Sequence, residues 1–272
     1  MAVRPRPAAT VILVRDNLSR NTADQPDLEV FMVRRAVQSE FMPDVYVFPG
    51  GSITDDDRQS ELCEELCRPL PLLVENDPQG RTALGTGTRA AAIRELFEEA
   101  NVLLAYHRQR LLALHERNIP RFSAYRQAFH ERRGSLVEMA RAEQLVLATD
   151  LLVYFAHWIT PEGMPRRYDT HFFLAAAPEG QRAEFDQLET SDGIWIQPAV
   201  ALRRFQDHAF PIAFPTYHQL RDLAAYTRSR ALIDAAAARP VPTHQPLLKQ
   251  VDGRTYVYLP DDPHNGWLIQ QA

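Results

Sequence analysis

Arg94-Glu95-Leu96-Phe97-Glu98-Glu99-Ala100-Asn101-Val102 is the stretch on which the reading of this 272-residue chain turns. On an α-helix, residues three and four apart share a face. Glu95, Glu98 and Glu99 then fall within an arc of about 100°, while Ile93, Leu96, Phe97 and Ala100 cover the other side. Three carboxylates on one face repel one another by roughly 0.2–0.5 kcal/mol per pair. A divalent cation turns that repulsion into coordination, because hard cations such as Mg²⁺ take oxygen ligands. Taken alone, such a face is more often a solvated, Glu-rich surface. A second signal has to decide.

That signal lies upstream, in Val45-Tyr46-Val47-Phe48-Pro49-Gly50-Gly51, a short apolar run broken by a turn. Together the two stretches resemble the halves of the Nudix box, GX5EX7REUXEEXGU with U apolar. Gly51 matches the opening glycine, and Arg94, Glu95, Leu96, Glu98, Glu99 and Val102 match the second half. The resemblance implies an α/β fold, the Nudix α/β/α sandwich around a mixed β-sheet, here with a helical insertion. It implies an enzyme, a divalent-metal-dependent diphosphatase using Mg²⁺ or Mn²⁺. Glu95, Glu98 and Glu99 would supply metal oxygens, the Gly50 carbonyl would complete the shell, and Arg94 would orient a neighbouring carboxylate. The alternative for Arg94 is a surface ion pair with Glu98.

Two departures from the pattern matter. Asn101 stands where the box has glycine, a mild change, since asparagine tolerates the left-handed conformation in which helices often end. The other is spacing. Counted back from Arg94, the first Glu of the box falls on Thr86; counted forward from Gly51, it falls on Asp57, with Asp55 and Asp56 beside it. The box is therefore split by roughly 29 extra residues, which loops tolerate because closure entropy grows slowly with length. At Asp57 the expectation is a solvated acidic turn.

The split narrows the resemblance. Glu40 to Gly51, the insertion, Ala92 to Ala100, Trp158 to Glu162 and Arg167 to Leu174 together resemble the coenzyme A diphosphatase branch, over about residues 8–228. Members cleave coenzyme A and acyl-CoA at the diphosphate, giving 3′,5′-ADP and a phosphopantetheine product. The upstream signature of such enzymes, LLTXR(S/A)X3RX3GX3FPGG, is eroded here. Arg35 and Ala36 are kept, but Glu40 replaces the second arginine and Asp44 the glycine. Arg34, Arg35, Arg166 and Arg167 are the candidates for phosphate contacts, Arg35 and Arg167 foremost, because an arginine fork matches phosphate oxygens. The erosion keeps an ADP-ribose or NADH hydrolase open, and an inactive ligand-binding Nudix module is the alternative of a different class. A base outside the box would be Glu189, with Asp192, Glu162 and Asp169 as rivals.

Composition sets the remaining bounds. The chain is 45% hydrophobic and 24% charged, with a net charge of −5, so it offers no basic footprint for nucleic acid. The expected partner is a small-molecule nucleotide diphosphate, and a homodimer follows only from the family resemblance. No run of 18 apolar residues occurs and the ends carry no recognisable address, so no membrane span is expected and cytoplasm is the default. Cys63 and Cys67 read as structural thiols, because they lack the further Cys or His partners of a zinc site. The nine histidines are scattered, without an HxxxH pair, and read as surface or packing residues.

The chain reads as one domain over 1–272. Strands are expected at Ala8 to Val14, Leu28 to Val33, Val45 to Phe48, Leu151 to Ile159, Thr170 to Ala176, Gly193 to Ile196 and Arg254 to Leu259. A polar loop joins the first two, from Asp16 to Asp27. The metal-binding helix is expected from about Arg89 to Ala100, with others at Pro198 to Phe205 and Thr216 to Ala238. A loop insertion (52–88) holds one helix, Ser60 to Cys67. A helical insertion (106–150) with almost no strand character would be a lid, an oligomer surface or padding. A C-terminal extension covers 239–272.

Overall fold

The structure, a computed structural model, describes residues 3–17, 28–39, 42–69 and 84–269. Most of the expected Asp16–Asp27 loop, and Glu40 of the eroded signature, lie outside these residues. At its centre is β1 (Arg6–Asp16), flanked by β2 (Leu28–Arg35) and by β9 (Tyr168–Ala176). With β8 (Val153–Ile159), β10 (Thr190–Ile196) and β11 (Thr243–His244), the sheet runs β10-β2-β1-β9-β8-β11. Two short strands join its side: β3 (Tyr46–Val47) pairs with β2, and β4 (Gly50–Ser52) with β1. The sheet is mixed, since β1 runs parallel to β9 but antiparallel to β2 and β4.

Strand β1 is a near-continuous apolar run because both of its faces are covered. Ala9, Val11 and Leu13 face α2 (Thr88–Ala100), the Glu-bearing helix. Ile12 and Val14 face the other core, shared with α5 (Pro198–Gln206), α6 (Phe214–Leu223) and α7 (Ser229–Ala238). Helices thus cover both sides of the sheet, the sandwich expected.

Three expectations change. The helix in the loop insertion is α1 (Asp55–Leu62), not Ser60 to Cys67, because a capping box at Thr54 starts it. The helical insertion carries α3 (Ile119–His130) and α4 (Leu136–Ala142) but also three strands, β5 (Ala105–His107), β6 (Arg110–Leu111) and β7 (Leu145–Leu147). These form a small sheet, β6-β5-β7. The insertion pads the core. Phe97 of α2 meets Phe122 and Phe129 of α3 edge-on, at ring centroid distances of 6.4 and 6.2 Å. Finally, the run Thr216 to Ala238 is two helices. Between them the Thr227 carbonyl accepts from Leu28 N, and Asp16 accepts from Ser229 N at 2.7 Å, capping α7.

The C-terminal extension is a meander of β12 (Leu247–Val251), β13 (Arg254–Leu259) and β14 (Asp262–Ile269). Asp252 and Gly253, both at positive φ, form the two-residue turn between the first pair. Val257, Leu259 and Trp267 pack it onto the second core. Among the described residues, no helix is long and apolar enough to cross a membrane.

Candidate active site

Helix α2 is fixed at both ends by partners from elsewhere. Its N-cap, Gly87, sits at φ 88° with no side-chain cap, and a Cβ there would meet Arg58 N at 2.8 Å. Glu61 of α1 caps it instead, accepting from Arg89 N at 3.3 Å. At the other end Asn101 adopts φ 58° and ψ 22°, and its N–H closes on Phe97 O at 3.0 Å. The asparagine does there what the glycine of the pattern would do. Arg126 donates to Glu98 O at 2.7 Å and to Glu184 O at 2.9 Å, tying α3 to the same end.

Arg94 organises the carboxylates. Its Nε and one terminal nitrogen grip Asp57 at 2.8 and 2.9 Å, a bidentate pair. The other terminal nitrogen reaches Glu98 Oε1 at 2.7 Å and Glu95 Oε1 at 2.9 Å. Ser52 O accepts at 2.9 Å. Burial alone would lower the pKa of Arg94, but the charges of Glu95, Asp57 and Glu98 raise it well above its ordinary value.

The expectation of a solvated turn at Asp57 is thereby corrected. Its side chain is 0% exposed, and the same carboxylate accepts from Thr54 N and Thr54 Oγ1, both at 2.7 Å. This pair, with the Arg94–Ser52 O bond, joins the two halves of the split box in space. The surface ion pair considered for Arg94 is excluded too, since its side chain is 8% exposed. Asp56 accepts from Ser135 Oγ and Leu136 N, both at 2.6 Å, and so pins the start of α4 to α1.

The glycine pair of β4 has a steric cause. A Cβ on Gly50 would lie 2.3 Å from Thr10 Oγ1, and one on Gly51 would lie 2.4 Å from Glu95 Oε1. The backbone can therefore come close enough for Gly50 N to donate to Glu99 Oε2 at 3.0 Å.

All three helix carboxyls are held above the usual carboxylate range. Burial pushes Glu95 up to about 7, against the pull of Arg94 and with help from the Glu98 charge. Burial also raises Glu98, again opposed by Arg94, and raises Glu99, with the Glu95 charge adding to it. A clustered, desolvated set of oxygen donors fits a hard divalent cation, which would offset the repulsion and favour the ionised forms.

A pH dependence follows. A carboxyl whose folded pKa exceeds its unfolded value stabilises the fold most when protonated. For Glu95 that contribution is full below about 4.5 and is lost as pH rises through about 7. Such a displacement is worth about 3 kcal/mol, or on the order of 5 °C in Tm. Metal-free protein is expected to melt lower near pH 8 than near pH 5, and Mg²⁺ to raise Tm more at the higher pH. Melts in EDTA and in Mg²⁺ check this; a Tm indifferent to both would refute it.

The remaining candidates separate clearly. The Glu189 charge raises the pKa of Glu98 and Glu99, and the Arg35 charge lowers that of Glu99. Glu189 is exposed, on a loop held by Asp186, which accepts from the backbone of Leu188, Glu189 and Thr190. The rival Asp192 is engaged by Tyr46 OH at 2.5 Å, and Asp169 by His157. Arg167 is held by the backbone around it. It is 6% exposed, and its guanidinium donates to Thr160 O at 3.0 Å and Val3 O at 2.8 Å. Arg34 pairs with Asp44 at 2.9 Å. Both cysteines are free, and burial raises the Cys67 thiol to about 12. Sequence reasoning reached Asp57 but read it as solvated, and it missed Glu61 and Arg126.

Comparison with known proteins bears on the same residues. Residues 5–223 match the family model described as the NUDT19 Nudix domain. The acyl-coenzyme A diphosphatase NUDT19 of Xenopus laevis is 26% identical over 240 residues, covering 77% of this chain. The chain spans 62% of that relative's length. The human protein of the same name is 26% identical over 262 residues, covering 82% of this chain and 69% of its own. A crystal structure of a NUDIX hydrolase from Alicyclobacillus acidocaldarius superposes with a TM-score of 0.70 at 24% identity. It covers 88% of this chain and 99% of the other, and so shares the fold. A family match across the box, the insertions and both cores makes this chain a member of the NUDT19 Nudix domain family of Nudix hydrolases.

Proposed function

We propose that the chain hydrolyses the diphosphate linkage of coenzyme A or an acyl-CoA, using Mg²⁺ or Mn²⁺, to 3′,5′-ADP and a phosphopantetheine product. The observation that carries this reading is the Asp57–Arg94 pair with Glu95 and Glu98 on the same guanidinium, which gathers the box across its insertion. The substrate class is supported by relatives named acyl-coenzyme A diphosphatase. Bound divalent ions would neutralise the diphosphate charge and lower the pKa of the attacking water. Glu95, Glu98 and Glu99 would hold those ions, with the Gly50 carbonyl beside them. Arg94 sets the angle of two of these carboxylates through charge-assisted bonds. Glu189, whose charge is felt by Glu98 and Glu99, would take the water's proton. Arg35 would contact a phosphate. We place the protein in the cytoplasm, a reading supported by two unpaired cysteines; a homodimer rests on the family resemblance.

One observation favours a second substrate class. Asp44 neutralises Arg34 at 2.9 Å, which removes a cation from the segment where coenzyme A enzymes carry their arginine signature. ADP-ribose or NADH, which lack the 3′-phosphate, would not need that cation. A panel of coenzyme A, acyl-CoA, ADP-ribose and NADH, assayed with Mg²⁺ and Mn²⁺ and resolved by product mass, separates the two. A kcat/KM at least about tenfold higher for a CoA ester is expected, a difference of about 1.4 kcal/mol. Faster turnover of NADH or ADP-ribose would overturn the coenzyme A assignment.

A further inference from the structure

Outside the box, three side chains from two neighbouring strands converge on one point. His157 and His171 are direct partners across β8 and β9, and their rings stack at 4.4 Å with 7° between planes. Asp169, two residues from His171 and on the same face, reaches His157 Nε2 with Oδ1 at 2.5 Å. The Nε2 of His171 lies 3.9 Å from the same oxygen. Tetrahedral ligands at about 2.0–2.1 Å from an ion stand roughly 3.3 Å apart, midway between these separations.

The outer atoms are arranged as a metal site needs. An imidazole ligand presents one ring nitrogen to the ion and gives its other N–H to a fixed acceptor. His157 Nδ1 meets Thr243 Oγ1 at 3.0 Å, and His171 Nδ1 meets Tyr154 OH at 2.7 Å. Hydroxyls accept as well as donate, so both partners can take the Nδ1 proton when the Nε2 atoms turn to an ion. The three side chains are 17%, 14% and 38% exposed for His157, His171 and Asp169, so the point they share is reachable from solvent.

The position is also distinct. Gly51 pairs with Ala9, and Ala9 pairs with His171, so the cluster lies in the sheet row of the box glycine but two strands away. At the usual strand spacing that is roughly 10 Å. The donor types differ as well, all oxygen in the box and two imidazoles with one carboxylate here. Imidazole selects borderline transition ions, whereas carboxylate and carbonyl donors suit Mg²⁺ and Mn²⁺.

We propose that His157, Asp169 and His171 form a second metal site, which takes a borderline divalent ion of the Zn²⁺ or Co²⁺ class and leaves the hard cation to the box. Such an ion would clip β8 to β9 and, through Thr243, fix the start of the C-terminal extension. The site stands or falls independently of which diphosphate is cleaved.

The test uses the full chain, stripped of metal, saturated with Mg²⁺ and titrated with Co²⁺. One equivalent is expected to bind with an intense visible ligand-field band. His157→Ala and His171→Ala should abolish the band. Tyr154→Phe and Thr243→Ala should weaken binding by about 10–100-fold, as loss of an outer partner does. The same band in either histidine variant would overturn the proposal. X-ray absorption on the Zn²⁺-loaded wild type reads the ligand shell directly and needs no variant to fold. Two imidazoles at about 2.0–2.1 Å are expected, and an all-oxygen shell would rule the site out.

Discussion

Glu99→Gln is expected to lower kcat on the preferred diphosphate by about 10³-fold without weakening the fold. A metal-bound diphosphate draws several kcal/mol of transition-state stabilisation from its ions, and about 1.4 kcal/mol is worth a factor of ten. The amide keeps an oxygen that can accept from Gly50 N, the bond that Glu99 Oε2 makes at 3.0 Å. It also removes a carboxyl that burial and the Glu95 charge hold well above the usual range. The variant should therefore melt at the wild-type temperature or slightly higher in EDTA, yet gain less from Mg²⁺. Glu98→Gln should behave alike in turnover, with some loss of order at Arg94, whose terminal nitrogen it contacts at 2.7 Å. Turnover that survives both changes would sink the metal mechanism. Turnover absent from the wild type on every diphosphate, with metal-dependent stabilisation intact, would instead favour a ligand-binding module.

Helix α2 was legible because independent local signals agree there. The carboxylate face, the apolar face and an asparagine able to end the helix all coincide within Ile93 to Asn101, and none depends on distant contacts. Asp57 was not legible, because three consecutive aspartates read as solvated until a buried guanidinium is known to reach them across the insertion. One local hint was present: Thr54 followed three residues later by Asp57 is a capping-box spacing, which marks a helix start. The His157–Asp169–His171 cluster shows a different limit. Antiparallel register, not spacing along the chain, makes His157 a neighbour of His171, so no linear motif could announce it. Strands of two or three residues, such as β6 and β7, are too short to display alternation. The break between α6 and α7 hides within an alanine-rich run. It is imposed by Asp16 and Leu28, which belong to the first two strands of the chain.

Asp57→Ala carries the largest expected cost in stability, because it takes the bidentate partner from a buried guanidinium and leaves its Nε and one terminal nitrogen without that carboxylate. Arg94 stays ionised under any accessible condition, and its side chain is 8% exposed. Removing one partner of a buried pair typically costs about 3–5 kcal/mol. Loss of the capping box at Thr54 adds about 1 kcal/mol, for a Tm fall on the order of 10 °C. Turnover should fall with it, since Arg94 freed from Asp57 no longer fixes Glu95 and Glu98. A second substitution separates these effects. Asp57→Ala combined with Arg94→Met replaces the half-satisfied guanidinium with apolar volume, so part of the lost stability should return. Activity should not return, because the guanidinium that set the two carboxylates is gone. Thermal melts of the single and double variants, read beside turnover, decide the matter. If Asp57→Ala melts within about 1 °C of wild type, the acidic turn is solvated after all, and the two halves of the box are held together by something other than this pair.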